Sequence, residues 1–137
     1  MQTQRTAPAA AALWVQGAAA LSLAAGLIHM LATPPYFALW VGYGLFFAVA
    51  VTAQLAYAVL LWTYHTLWQD RPHRAWLWAG IVSNGLIIGL WLLTRTVGIP
   101  VFGPQAWQVQ PVGVLDLLSV VFEAGLIGCL AMILRLA

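Results

Sequence analysis

Four long runs of apolar residues alternate with short polar or proline-rich breaks along the chain. The runs cover about 10–32, 37–64, 75–94 and 112–134, each long enough to cross a hydrocarbon layer as a helix. The first break, Thr33-Pro34-Pro35-Tyr36, ends the first run. Consecutive prolines remove backbone donors and push the preceding residue towards extended geometry. So short a connection makes the first two helices antiparallel neighbours. The second break, Thr66 to Arg74, is the most polar segment and holds Asp70, Arg71, His73 and Arg74. The third, Thr96 to Pro111, carries Gly98, Pro100, Gly103, Pro104 and Trp107 and no charge. Its length and its apolar Val101, Phe102 and Trp107 suit a lid resting on the mouth of a bundle. The pattern predicts an all-α fold: residues 1–137 form one transmembrane domain, a four-transmembrane-helix bundle.

Small residues mark where these helices should touch, because close backbone approach is what holds helices together in lipid. Ala18, Ser22 and Gly26 form such a stripe in the first run, and Ala48, Thr52 and Ala56 in the second. Gly85 and Gly89 make a GxxxG pair in the third, and Gly125 and Gly128 are contact points in the fourth.

Composition agrees with the pattern. The chain is 64% hydrophobic and 6% charged, with a mean hydropathy of +0.92, whereas soluble domains are about a quarter charged. The net charge of +2 comes from five arginines against three acids. With no lysine and no basic run, nucleic acid is excluded as a partner. Arg5, Arg71, Arg74 and Arg135 fall on the two termini and the second connection, which places both termini in the cytoplasm and the long third loop outside it. Of the eight tryptophans, Trp14, Trp62, Trp68, Trp76 and Trp78 fall near the inner interface and Trp40, Trp91 and Trp107 near the outer one. Arg5 before an Ala-rich run has the look of a secretory signal, but the apolar run continues to Leu31, so a retained helix is expected. The single cysteine, Cys129, reads as a packing residue.

The candidate chemistry lies in the few polar residues inside the runs. Asp116 and Glu123, seven residues apart, lie about 20° apart around a helix and share a face. Ionisable groups within a span turn inward towards a partner or a wet cavity. His29, Asn84 and Arg95 are the partners at compatible depths, and Gln54 in the second span also needs a hydrogen-bond partner. Counting helical rise sorts them into two tiers: His29, Arg95 and Asp116 near the outer boundary, Asn84 and Glu123 near the midplane. Arg95 and Asp116 would lock the third and fourth helices as an ion pair. Glu123 would share a hydrogen bond with Asn84 or handle a proton or ligand. His29 would be oriented by Asp116. An axial offset of about 10 Å between the two acids argues against one shared ion. His65 and His73 fall at the face opposite His29, which argues against a bis-histidine haem, so no metal and no cofactor is expected. No GxSxG, P-loop or HExxH motif is present.

Three stretches carry a wider likeness: His29 with Pro34, Tyr36-Phe37, Trp40 and Tyr43 to Phe47; Trp91 to Pro100 with Gly103-Pro104; and Val112 to Asp116 leading to Glu123. Together they resemble a group of small, uncharacterised four-helix bacterial integral membrane proteins. The resemblance implies architecture, a multi-pass place in the bacterial cytoplasmic membrane, and attention to His29, Arg95, Asp116 and Glu123. It supplies no activity. At Tyr36 and Gln110 this chain is less polar than the group.

The function expected from these residues is a non-enzymatic accessory subunit, or a bundle that binds a small ligand, lipid or quinone in an outward-facing polar pocket. The alternative is a membrane enzyme or proton-coupled device using His29 and Asp116, with Glu123 as relay. The expected partners are the lipid bilayer and other membrane subunits or a second copy of the chain.

Overall fold

A computed structural model of the chain describes residues 9–68 and 72–136. It contains four helices, α1 (Ala9–Leu39), α2 (Val41–Thr63), α3 (Arg74–Thr96) and α4 (Val114–Leu136), with a π-helical turn at Tyr64–Trp68. All four are long and apolar enough to cross a membrane, and no strand occurs among the described residues. The multi-pass membrane architecture thus rests on four spans. Arg5 and Arg71, used above to orient the chain, lie outside the described residues.

The first helix departs from expectation. It runs unbroken through Pro34 and Pro35 to Leu39. The carbonyls of Met30 and Leu31 lose their helical donors there, but both prolines are exposed, so their rings displace nothing packed. The last turn is held from the side instead. Tyr36 stacks on Phe47 at 4.3 Å and meets Tyr43 edge-on at 6.5 Å. Phe37 covers Gly44 so closely that a Cβ there would clash with its ring. Trp40 alone, in extended geometry, separates α1 from α2. At 31 residues, α1 is about 46 Å long and must tilt or project from the hydrocarbon layer.

α1 packs against α2 and α4, and α3 packs against α4, whereas α2 and α3 are not packed side by side along their length. The half of the bundle nearer the termini is a solid core of Val15, Ala18, Leu61, Leu77, Leu126 and Leu130 with their neighbours. The α1 stripe of Ala18, Ser22 and Gly26 is buried as expected. In α2 the expected stripe points outwards: Thr52 and Ala56 are exposed, and Ala50, Gln54 and Ala58 face the bundle. Gly85, Gly89 and Gly128 likewise face open space, where an added Cβ would meet nothing within 4 Å. α3 instead offers Gly80, against Tyr57 and Leu130, while Gly125 meets Leu21. In both α2 and α3 a buried amide, Gln54 or Asn84, sets which side faces inwards, and the small residues follow wherever that rotation leaves them.

The loop between α3 and α4 is fastened at several points. Trp107 N–H donates to Ile99 O (2.9 Å) and Gln110 N–H to Thr94 O (2.9 Å). The Tyr43 hydroxyl donates to Phe102 O (2.9 Å) and accepts from Gln105 N–H (3.2 Å). Phe102 rests edge-on against Trp40 at 4.9 Å. The loop therefore caps the end of the bundle where α1 turns into α2.

These glycine environments predict opposite outcomes for two similar changes. In Gly80→Ala the new methyl lies 2.7 Å from Leu130 Cδ1 and presses on Tyr57, whose hydroxyl is committed to Trp76 O at 2.9 Å. It should destabilise by about 1–3 kcal/mol. Gly85→Ala should be neutral or slightly stabilising. Denaturant titration of the detergent-solubilised variants, followed by tryptophan fluorescence, checks both.

Candidate functional site

Every helix contributes a polar side chain to one layer midway along the bundle. α1 gives His29, α2 Gln54, α3 Asn84, and α4 Ser119 and Glu123, all buried. Glu123 is the centre. Its Oε1 lies 2.8 Å from His29 Nε2 and accepts from Gln54 Nε2 (3.2 Å) and Ser119 Oγ (3.3 Å). Gln54 Nε2 also reaches Asn84 Oδ1 at 3.4 Å, and Asn84 Nδ2 donates to Gly80 O at 2.8 Å. Ser22 Oγ bonds the backbone carbonyl of Gln54 (2.8 Å), tying α1 to α2 at this level. His29, Gln54 and Ser119 thus crowd one carboxyl oxygen of Glu123. Glu123 Oε2 is buried without a partner, as is Gln54 Oε1.

The two tiers expected from the sequence are therefore rearranged. His29 pairs with Glu123, not Asp116. The continuation of α1 is the physical reason: His29 sits ten residues before Leu39, about 15 Å from that end, and Glu123 lies nine residues after Val114, about 13 Å along α4. Had α1 stopped at Ala32, His29 would have lain level with Asp116. Asn84 and Glu123 do not bond directly either, because the Gln54 amide bridges them.

Arg95 and Asp116 do meet. Arg95 Nη2 bonds Asp116 Oδ2, Arg95 Nη1 donates to Thr94 Oγ1 (2.7 Å), and the guanidinium lies 5.8 Å from the centre of the Trp91 ring. Asp116 Oδ2 also accepts from Gly113 N–H at 3.2 Å. Asp116 sits in the first turn of α4 and Arg95 in the last turn of α3. Each is placed where its charge opposes a helix dipole, and Asp116 acts as half of a capping box.

Between the mouth pair and the midway layer lies a cavity of about 520 Å³. Tyr36, Phe46, Phe47, Ile87, Leu90 and Trp91 wall it, Phe102 and Gln105 of the loop roof it, and His29, Ser119 and Glu123 line its deep end. Its size falls within the range of small-molecule pockets, and so does its make-up of apolar walls with a few converging polar groups. It occupies the region that α2 and α3 leave between them.

Thus the structure brings His29, Asn84 and Glu123 into one network, with Arg95 and Asp116 forming a separate pair at the mouth. Gln54 and Ser119 are members that the candidate set omitted. Gln54 was legible as an amide stranded in an apolar run. Ser119 carried only one signal, its position four residues before Glu123 on the same helix face. His29, Asp116 and Glu123 do not converge, and among the described residues no group of three or more His, Cys, Asp or Glu does so. Compared with models of known families, with curated proteins and with solved structures, the chain has no match.

The mouth pair yields a stability prediction. Arg95→Met and Asp116→Leu should each destabilise by about 1–3 kcal/mol, since each strands the other charge. The double variant should lose clearly less than the sum of the two. A double-mutant cycle from denaturant titrations measures the difference.

Proposed function

We propose that this protein is a membrane-embedded binding protein whose cavity takes an amphipathic small molecule, head group towards Glu123 and apolar body along the aromatic walls. One observation carries the reading: a cavity of about 520 Å³ lined mainly by apolar side chains ends on a buried glutamate with one carboxyl oxygen saturated and the other unpartnered. An empty apolar void needs no such floor, and the unpartnered oxygen is an acceptor at the end of the cavity that a ligand donor can meet.

The arginine distribution supports an orientation with the loop end, and so the cavity mouth, facing outwards and the termini in the cytoplasm; the bacterial plasma membrane is what the resemblance described above implies. Exposed apolar sides leave room for a place within a larger membrane assembly or a homo-oligomer. The His29–Glu123 hydrogen bond also favours a second reading, proton handling. That role would run through His29 and Glu123, with Asp116 committed to Arg95.

Val120 lines the cavity and takes no part in the polar layer, so Val120→Trp fills the space and leaves the network in place. Wild-type protein purified from native membranes in mild detergent should carry an amphiphile detectable by solvent extraction and mass spectrometry. Val120→Trp, with unchanged helical circular dichroism, should lose it. Equal retention in both, or no amphiphile in the wild type, contradicts the binding reading.

A further inference from the structure

The unsatisfied polar atoms around the cavity are of opposite kinds at opposite ends. At the deep end stands an acceptor, Glu123 Oε2; towards the mouth, on α3, stand two donors, Trp91 Nε1 and Arg95 Nε. All three are buried and unpartnered, and all three residues line the cavity. The other polar atoms of these side chains are engaged: Glu123 Oε1 by His29, Gln54 and Ser119, and both terminal nitrogens of Arg95 by Thr94 and Asp116. Between the two ends the walls are rings. Tyr36 stacks on Phe47, and Phe47 lies 5.6 Å from the His29 ring.

From this juxtaposition we infer that the cavity is built for a quinol, a flat ring with an oxygen at each end, bearing an apolar tail. The inference rests on the binding reading above and names its ligand class. One phenolic O–H donates to Glu123 Oε2. The oxygen at the other end of the ring accepts from Trp91 Nε1 or Arg95 Nε. Aromatic walls take the ring in offset or edge-on contact, and the tail passes towards lipid between α2 and α3.

Competing classes match less of the site. A fatty-acid anion or a phosphodiester brings negative charge beside Glu123 and no donor for its Oε2. A lipophilic amine satisfies Glu123 but leaves the Trp91 and Arg95 donors bare. An oxidised quinone offers only acceptors, so it serves the α3 donors and leaves Glu123 Oε2 unpaired. A site with an unmet buried polar atom discriminates strongly against a ligand that cannot meet it. The cavity should therefore distinguish the two redox forms.

The probe is a benzoquinol with one prenyl unit, short enough to stay in solution, and its oxidised form. Both are titrated calorimetrically into the full chain in lipid nanodiscs, the quinol under anaerobic reducing conditions. Wild type should bind the quinol about ten-fold or more tightly than the quinone, the factor expected for one unmet buried hydrogen bond. Glu123→Gln keeps the shape but presents an amide that donates to a carbonyl, so the preference should vanish or invert. Trp91→Phe should weaken both forms several-fold while leaving the preference in place. Equal affinity for the two forms in wild type, or no binding of either, overturns the quinol inference. If that occurs while a co-purified amphiphile is still lost in Val120→Trp, the binding reading stands and only the ligand class falls. If Val120→Trp also changes nothing, both fall.

Discussion

A carboxyl group that reaches no solvent must be met by the protein around it, and in this chain that demand falls on Glu123. Leaving such a group bare costs about 1–3 kcal/mol or more, which ranks the burial of its partners above the placing of any one small-residue stripe. The orientation of the helices follows this ranking. α2 turns Gln54 inwards although Thr52 and Ala56 then face out, and α3 turns Asn84 inwards although its GxxxG pair is left uncovered. α1 brings His29 to the same level, and Ser119 completes the set from one turn away on α4.

This layer divides the bundle into two unlike halves. Towards the termini, Leu61, Leu77, Leu126, Leu130 and Ile133 are wholly buried and close-packed. Towards the loop, α2 and α3 stand apart and the space is lined by aromatic rings. The ion pair of Arg95 and Asp116, the α4 cap at Gly113 and the Tyr43 hydroxyl bonds hold the rim and the loop in place across that space. One half supplies rigidity and the other supplies room, with the polar layer as the floor between them.

The existence of four spans was legible from run length and hydropathy, and the Arg95–Asp116 pair from its place at adjoining helix ends. The level of His29 was not. The rule that two prolines end a helix holds for an isolated chain, but Tyr36 on Phe47 and Phe37 on Gly44 are contacts between segments, and they carry α1 one further turn and more. That extension moved His29 away from Asp116 and onto Glu123. The small-residue stripes misled for a related reason: Ala48, Thr52 and Ala56 satisfy the packing rule locally, yet Gln54 lies on a different face and burying it takes precedence. Gln54 itself was visible as an amide with nowhere to go, whereas Ser119 is too ordinary in a helix to stand out before its neighbours are placed. The unpartnered oxygen of Glu123 belongs to no sequence pattern, since it depends on three side chains crowding the other oxygen.

Contact between His29 and Glu123 is the claim on which the floor, the cavity and the ligand class all depend. Glu123 is the single glutamate of the chain, so labelling glutamate with carbon-13 at the side-chain carboxyl and histidine with nitrogen-15 isolates the pair in a solid-state NMR dephasing experiment on protein in lipid. With Nε2 and Oε1 at 2.8 Å, the carboxyl carbon should dephase rapidly against a histidine nitrogen, and His29→Gln should abolish the effect. A glutamate carboxyl that shows no coupling to histidine would contradict the account, the more so if aspartate labelling placed the histidine beside Asp116.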